Sequence, residues 1–263
     1  PVSSLVGQET SLADREALRE QLGLNDPFVF QFFRFVADAV QGDFGISYRL
    51  QQPVMDLILS RLPATLELAL ISGFLAFVFG VGLGVYTALR RRGWLANLIM
   101  TSSLIGVSLP TFLIGVLLIW LFAVELQWLP SFGRGDVVQL GGWSTGLLTE
   151  SGRASLVLPA ITLGLYQMTL IMRLVRAEML EALRTDYVKF ARARGLSNRA
   201  VHFGHALRNT LVPVITITGL QLGSIIAFAI ITESVFQWPG VGALFINSVR
   251  YVDVPVMAAY LVL

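Results

Sequence analysis

The side chains that could carry out chemistry are few and form no catalytic set. The 263 residues contain two histidines, no cysteine and a single lysine. Without cysteine, neither disulfides nor thiolate metal sites can form. Lys189 follows Val188, so the Gly-Lys-Ser/Thr sequence of a phosphate-binding loop is absent. His202 and His205 are spaced to share a helical face, but no further ligand pair is near, so we expect no catalytic residue, metal or cofactor here.

Ionisable residues inside apolar segments are the next candidates, because burying a charge in a membrane is costly. Glu67 and Glu125 lie near the ends of such segments, where hydration or a helix-end hydrogen bond explains each better than substrate contact. No relay of buried acids and bases, as a proton-driven transporter needs, is visible. A transport pathway would instead be lined by polar uncharged side chains: Ser108, Thr111, Tyr166, Gln167, Thr169, Gln221 and Ser224. The alternative is that these side chains form hydrogen bonds that hold neighbouring helices together.

Composition identifies the class of protein that must position these residues. The chain is 55% hydrophobic and 14% charged, whereas soluble domains carry roughly 25% charged residues. We therefore predict an all-α polytopic membrane protein. Apolar runs predict four complete spans, at 62–89, 94–126, 156–174 and 207–232, and the start of another at 254–263, where ten residues fall short of the roughly 20 that a span needs. Gly80 and Gly84 in the first span predict a close approach by another helix.

The segments outside the spans have distinct compositions. Residues 1–61 contain no span but two amphipathic pieces, LADREALREQLGL and FVFQFFRFVADAV. The second is rich in phenylalanine, which predicts packing on the spans or against a membrane interface. Residues 127–154 and 233–253 are predicted to be loops, the second of them ordered. Pro110 falls in the middle of the second span, which is tolerated where neighbours satisfy the freed carbonyl.

Basic residues set the orientation. Three arginines, Arg90–Arg92, follow the first span, and eight of the nineteen basic residues lie between Arg173 and Arg208. The loops 127–154 and 233–253 carry only Arg134, Arg153 and Arg250. Because basic loops face the cytoplasm, we expect the Arg90 turn and the coupling loop 175–206 to be cytoplasmic and residues 1–61 to be external. A cytoplasmic N-terminus would then require one more span before Pro1.

The cytoplasmic stretch contains a short helix bracketed by turns. Residues 186–194 have helix-forming composition, and Gly195 supplies a C-cap. Ser197 or Asn198 can cap a helix that restarts at Arg199. A basic helix joined to spans on both sides is suited to dock onto a partner at the membrane surface. The alternative, a solvated loop that only obeys the charge rule, does not explain Tyr187, Phe190 or Gly195.

Several stretches resemble a known family. They are DYVKFARARGLS at 186–197, HALRNTLVPV at 205–214, GDFGIS at 42–47, RLPATLELAL at 61–70, and ESVFQWPGVGALFINSV with Asp253 and Pro255 beyond it. Together they resemble the inner-membrane permease subunits of binding-protein-dependent ABC importers, in the dipeptide, oligopeptide and nickel branch. Ala191 and Gly195 match the family's cytoplasmic motif, and Leu207 falls at its leucine. Lys189, Phe190, His205 and Arg208 depart from the general motif as peptide-branch members do.

The resemblance implies a type I permease fold with six spans and no catalysis by this chain. It implies docking of the short helix into a groove of an ATPase subunit through Asp186, Tyr187, Phe190, Ala191, Arg192, Arg194 and Gly195. Asp186 would cap that helix, Tyr187 and Phe190 would fill an apolar slot, and the arginines would pair with acidic residues. Contact with a binding protein is expected at Gln237, Trp238, Pro239 and Gly240.

The implied partners are two ATPase subunits that bind ATP and Mg, a second related permease, a periplasmic or lipid-anchored binding protein, and the lipid bilayer of the bacterial inner membrane. No nucleic acid is implied. Peptide is the expected substrate, with nickel chelates, glutathione or another small solute as alternatives. A protein of another class, an ATP-independent secondary transporter or channel, remains the competing hypothesis. It is disfavoured by the missing acid–base relay and by the docking helix.

Overall fold

The structure is a computed structural model that describes residues 26–263. In chain order its helices are α1 (Phe28–Val40), α2 (Val54–Leu89), α3 (Trp94–Ser108), α4 (Thr111–Leu118), α5 (Glu150–Ala182), α6 (Asp186–Ala193), α7 (Leu207–Val235), α8 (Val241–Tyr251) and α9 (Val254–Val262). π-Helical turns extend α4 over Ile119–Glu125 and precede α7 over Ala200–Ala206. Strands β1 (Val138–Leu140) and β2 (Trp143–Thr145) form an antiparallel hairpin. The predicted all-α class is confirmed apart from that hairpin.

Three helical segments in the described part of the chain are long and apolar enough to cross a membrane. They are Val54–Leu89, Glu150–Ala182 and Ala200–Val235. The pair Trp94–Ser108 and Thr111–Glu125 becomes a fourth if it forms one span, although the two parts meet at an angle of 109°. Each of these segments overlaps one of the four predicted spans, although their boundaries differ.

The second predicted span is not a continuous helix. Leu109 has an extended backbone (φ −87°, ψ 137°), and α4 begins only after Pro110. Proline has no N–H to donate and its ring disfavours helical backbone at the preceding residue. The prediction that residues 94–126 form one span with a tolerated proline was therefore wrong about the backbone. Pro110 ends one helix, and the next starts in a new direction.

Several predicted boundaries were also wrong. Helix α2 begins at Val54 rather than at residue 62. Helix α5 extends from Glu150 to Ala182 rather than over 156–174. The Thr149 hydroxyl accepts a hydrogen bond from the Gly152 N–H (3.0 Å) and so caps an earlier start for α5. Residues 233–253 are not a loop, since they contain the end of α7 and all of α8.

Of the two predicted amphipathic pieces near the start, the second forms α1, and the first lies outside the described residues. Helix α1 keeps its aromatic face largely exposed, with Phe30 and Phe33 both more than 60% accessible. Phe35 instead packs edge-on against Phe44 at 6.5 Å between ring centroids. The sequence therefore located the helix and its amphipathic character correctly.

Residues 64–238 form one compact unit. Its core includes a continuous cluster of buried apolar side chains from α2, α5, α6 and the start of α7: Ala76, Val85, Ala88, Ile171, Val175, Met179, Ala182, Val188, Ala191, Val201, Ala206 and Val214. Glycines bring α2 and α5 together. A Cβ added at Gly80 would lie 2.8 Å from Ile171 Cγ2, and one at Gly84 would lie 2.6 Å from Val175 Cβ. The close approach predicted from this glycine pair is confirmed.

The second compact unit combines residues 239–263 with the chain before Ala64, described from residue 26. Its apolar core includes Phe44, Val54, Leu57, Ile58, Val241, Leu244, Val256 and Ala259. Asp253 is 2% exposed and precedes α9. Its carboxylate accepts hydrogen bonds from the Ser47 hydroxyl (2.5 Å) and the Tyr48 N–H (3.0 Å). Burial and the nearby Asp253 carboxylate raise the pKa of the Tyr48 phenol.

Candidate functional site

The predicted docking helix exists and has two distinct faces. Val188 and Ala191 on α6 are buried in the apolar cluster that also contains Val175 and Met179. On the adjoining flank, Tyr187 is 39% exposed and Phe190 64% exposed. Burial of one face against the protein's own core fixes the helix and leaves the two aromatic rings accessible. Ala191 packs in this chain's own core, and the predicted docking contacts stay a prediction.

The docking helix ends in the predicted turn. Gly195 has φ +80°, its N–H donates to the Arg192 carbonyl (2.9 Å), and the Leu196 N–H donates to the Ala191 carbonyl (3.3 Å). This pair of hydrogen bonds is the Schellman motif, which requires a left-handed residue that glycine supplies without strain. The Ser197 hydroxyl then accepts from the Ala200 N–H (3.3 Å), as predicted for the restart of the helix.

The other end of the docking helix differs from the prediction. Thr185, not Asp186, is the cap residue, and no side chain accepts a capping hydrogen bond there. The Asp186 carboxylate instead accepts a hydrogen bond from Lys189 Nζ at 2.8 Å, and this contact lowers the pKa of Asp186. Asp186 lies in the first turn of α6, where a negative charge is favourable to the helix dipole.

The basic residues of α6 remain accessible for pairing. Arg192 and Arg194 are exposed, and the Arg194 guanidinium lies 5.8 Å from the centre of the Phe190 ring. Among the described residues, the ion pairs of side chains comprise Arg34–Asp26, Arg134–Glu67 and Lys189–Asp186. Neither α6 arginine is in that set. Helical spacing places Tyr187, Phe190 and Arg194 on one exposed flank of the helix, whereas Arg192 is exposed on the other side of the buried face.

The predicted pathway residues differ in burial. Gln167 and Thr169 on α5 are 4% and 1% exposed, and each has a side-chain oxygen without a hydrogen-bond partner. Because they are two residues apart on a helix, they point to different sides. The Thr169 hydroxyl faces α3, since a Cβ at Gly106 would lie 3.0 Å from it. The other five are exposed or half-buried, namely Ser108, Thr111, Tyr166, Gln221 and Ser224. All seven stay a prediction.

The predicted binding-protein segment is mostly inaccessible. Gln237 is exposed, whereas Trp238 is 1% exposed, Pro239 is half-buried and Gly240 is buried. The Trp238 indole N–H donates to the Ala64 carbonyl at 2.9 Å. The Trp238 side chain belongs to the core of this chain, and the predicted contact with a binding protein stays a prediction. Gln237, next to it, is exposed and remains available for contact.

A buried polar cluster, here called the outer cluster, was missed by sequence reasoning. It consists of Glu67 on α2, Arg134, and residues 144–147. Glu67 was expected near a hydrated span end, but it is 5% exposed and forms an ion pair with Arg134. The Glu67 carboxylate also accepts from the Thr145 hydroxyl (3.0 Å) and from the Gly146 and Leu147 N–H groups (both 3.1 Å).

A second buried carboxylate lies on α7. Glu233 is fully buried and accepts a hydrogen bond of 2.5 Å from the Thr65 hydroxyl. Thr65 and Glu67 therefore hold two different segments to the same turn of α2. The available signal in the sequence was Glu67 itself, because an acid inside an apolar span suggests a buried partner. Nothing local identified Arg134 as that partner. Glu125, the other acid considered, is exposed.

Metal binding finds no support in the described range. Residues 26–263 contain no group of three or more histidine, cysteine or acidic side chains placed to hold a metal ion. His202 is half-buried and His205 is exposed.

Comparisons with known proteins agree with the architecture. The profile of the family described as "Binding-protein-dependent transport system inner membrane component" matches residues 80–263. The dipeptide transport system permease protein DppB of Alkalihalophilus pseudofirmus is 37% identical over 98% of this chain and 81% of its own length. The glutathione transport system permease protein GsiC of Escherichia coli strain K12 is 38% identical over 100% of this chain and 81% of its own.

A solved structure is similar in fold. It is the MetNI methionine ABC transporter in inward-facing conformations, which aligns with a TM-score of 0.57 and 20% sequence identity. The alignment covers 79% of this chain and 91% of the other. At this identity the likeness concerns the fold alone. It is the fold of an ABC importer permease.

Proposed function

This chain belongs to the family of binding-protein-dependent transport system inner membrane components, and from that membership we propose that it forms, with a second related permease, the transmembrane pathway of an ATP-driven peptide importer. It is a multi-pass permease of the bacterial inner membrane with the type I fold, in the dipeptide and oligopeptide branch. Two partner subunits bind ATP and Mg and hydrolyse the nucleotide. An external binding protein delivers the substrate.

One observation carries the proposal of ATPase partners. Helix α6 buries Val188 and Ala191 in the core and leaves Tyr187 and Phe190 exposed. Arg194 shares their flank at the end of the helix, and Arg192 is exposed on the other flank. Exposed aromatic and arginine side chains are the types that dominate protein–protein contacts. A helix that served only to join two spans would not need an exposed ring on its far side. The partner surface that would complement the exposed side of α6 is an apolar groove bordered by acidic residues.

The first test removes the exposed ring. Phe190→Ala should weaken binding of the ATPase subunits in mild detergent by about thirtyfold, because truncating a central aromatic contact costs on the order of 2 kcal/mol. Co-purification of the ATPase subunits at a fixed protein concentration measures the loss. The matched control is Phe203→Ala, since Phe203 is also an exposed phenylalanine (51%) but lies outside α6. Recovery of the wild-type chain without any ATPase would instead favour an ATP-independent transporter or channel.

We propose Gln237 as the contact to the binding protein. Gln237→Ala should raise the binding-protein concentration for half-maximal stimulation of ATP hydrolysis by about fivefold, an effect of on the order of 1 kcal/mol. The control is Gln127→Ala, which has the same residue type, is also exposed and shares the left-handed backbone (φ 53° against 49°). Equal responses of the two variants would contradict a specific role for Gln237.

Peptide is the proposed substrate. The relatives are named for dipeptide and for glutathione transport, and both ligands are short chains of amino acids with free carboxylates. Nickel chelates and other small solutes are the alternatives. Competition among a dipeptide, a longer peptide, glutathione and a nickel chelate for the cognate binding protein decides between them. The proposal predicts that the dipeptide or the longer peptide binds more tightly than glutathione or the nickel chelate.

A further inference from the structure

Gln237 is presented from a turn whose neighbours are fully anchored. Phe236 and Trp238 are each 1% exposed, whereas Gln237 between them is exposed. Its backbone has φ 49°, a left-handed conformation that is uncommon for residues other than glycine. Such a conformation persists only where the surroundings fix it, and it is concentrated at functional sites. The contacts that fix this turn therefore bear on what Gln237 does.

Four contacts hold the turn in place. The Gly133 N–H donates to the Phe236 carbonyl (2.9 Å), and the Trp238 N–H donates to the Glu233 carbonyl (2.8 Å). The Trp238 indole N–H donates to the Ala64 carbonyl (2.9 Å). The Arg134 guanidinium lies 5.8 Å from the centre of the Trp238 ring. Two of the four contacts come from the adjacent residues Gly133 and Arg134, so the position of that loop controls the turn.

Arg134 is itself fixed by the outer cluster. One of its nitrogens pairs with Glu67 and also donates to the Ser144 carbonyl (2.7 Å), and another donates to the Ser144 hydroxyl (3.0 Å). The side chains of Arg134 and Glu67 are only 7% and 3% exposed. Burying an ion pair seldom gives net stability, because the lost hydration offsets the attraction. A fixed geometry is what this arrangement provides, and Gln237 is the exposed residue that benefits from it.

We propose that Glu67 and Arg134 are positioning residues that hold Gln237 in a preformed contact geometry for the external binding protein. This inference rests on the proposed function. A protein partner is favoured over the bilayer surface because a fluid lipid surface needs no defined backbone geometry. A protein contact gains affinity when the exposed residue is held in its bound conformation beforehand. Glu67 lies on α2 twenty residues before Thr87, whereas Val85 and Ala88 of that helix pack in the same cluster as Val188 of α6. The outer cluster is therefore far along α2 from the docking helix.

The test uses the complete importer, reconstituted with its second permease, ATPases and binding protein. Glu67→Gln keeps the size of the side chain but removes its negative charge. It also replaces one accepting oxygen by an N–H₂ group, which cannot accept the hydrogen bonds that Arg134 and residues 145–147 donate. We expect the binding-protein concentration for half-maximal ATPase stimulation to rise about fivefold, with basal and maximal rates near wild type. Glu125→Gln, at an exposed acid, is the matched control and should change none of these values. An unchanged half-maximal concentration in Glu67→Gln would overturn the proposal.

A double-mutant cycle separates positioning from general damage. If Glu67 acts through Gln237, the variant carrying both Glu67→Gln and Gln237→Ala should respond no more than the stronger single variant. Multiplied effects would show that the two residues act independently and would overturn the proposal. If the Glu67→Gln variant does not assemble, Arg134→Lys replaces it in the double-mutant cycle with Gln237→Ala. It keeps the charge and loses the planar guanidinium.

A direct structural readout does not depend on the proposed function. The chain lacks cysteine, so Gln237→Cys accepts a single nitroxide label in the purified permease chain. The spectrum should show a restricted label with Glu67 present and a mobile one after Glu67→Gln. Equal mobility would refute the positioning role even if transport fails for another reason. Absence of any stimulation in the wild-type importer would sink the proposed function and leave this result to stand on its own.

Discussion

Gly84→Ala is expected to destabilise the paired helices α2 and α5 by about 1–3 kcal/mol, the usual effect of overpacking a close-packed core. The added Cβ would lie 2.6 Å from Val175 Cβ and 2.7 Å from the Met172 carbonyl oxygen. The carbonyl is part of a helix backbone and cannot rotate away, so the helices must separate. Loss of helical circular dichroism during titration of the detergent-solubilised protein with sodium dodecyl sulfate measures the change.

The control for this experiment lies two residues away on the same helix. A Cβ at Gly82 would meet no atom within 4 Å, and alanine is favoured over glycine in helices by up to about 1 kcal/mol. Gly82→Ala should therefore be neutral or stabilising in the same titration. If both variants shift the unfolding midpoint equally, α2 and α5 do not approach each other at Gly84 as the structure describes.

Gly195→Val is expected to reduce uptake by about tenfold or more while the protein still inserts in the membrane. Valine is β-branched and is strained at φ +80°, at a cost of about 1–3 kcal/mol. No atom lies within 4 Å of a Cβ built there, so the effect comes from the backbone alone. The strain is relieved by abandoning the Schellman turn, which moves the end of α6 and its exposed aromatic face. Uptake by whole cells, normalised to the amount of membrane-inserted protein, is the measurement.

Asparagine supplies the matched control at the same position. Among residues with a side chain, it is one of those that adopt the left-handed conformation most readily. Gly195→Asn should therefore keep most of the uptake, although it adds a polar side chain at this position. Loss of uptake in Gly195→Asn but not in Gly195→Val would reverse the expected order and contradict the role given to the turn.

The two predictions concern one mechanical unit. Val188 and Ala191 of α6 belong to the same buried cluster as Val85 of α2 and Val175 of α5. A displacement of α6 is therefore transmitted to the long helices through packed side chains, because close-packed cores deform little. Nucleotide-driven movement of an ATPase bound to α6 would reach the spans by this route.

Much of the architecture follows from local sequence. Long apolar runs locate the membrane-crossing segments because hydrocarbon requires about 20 consecutive apolar residues and a helix that satisfies its own backbone. The Gly195 turn and the Ser197 cap follow from chain-local hydrogen bonds, so both could be predicted. The bend at Pro110 could have been, since proline restricts the residue before it.

The tertiary structure alone decides which polar residues are buried and which remain exposed. Glu67 looked like an acid at a hydrated helix end, but a loop nearly seventy residues later in the chain covers it and supplies Arg134. Trp238 looked like a contact residue, but its indole hydrogen-bonds to the Ala64 carbonyl, 174 positions earlier. Contacts at such separations leave no periodic trace in a single sequence, because hydrophobic patterns report only which face of a local element is apolar.

The sequence by itself thus determined that this is a polytopic helical membrane protein with a short basic helix between two spans, because hydropathy, charge bias and turn residues act over a few neighbouring positions. Its motifs supplied the resemblance to the permease family. Only the tertiary structure decided that Gln237 stays accessible while Trp238 is enclosed, and that Glu67 and Arg134 neutralise each other out of water. Desolvation is the physical reason. Whether a polar group is hydrated, paired or free to meet a partner depends on what the folded chain places around it.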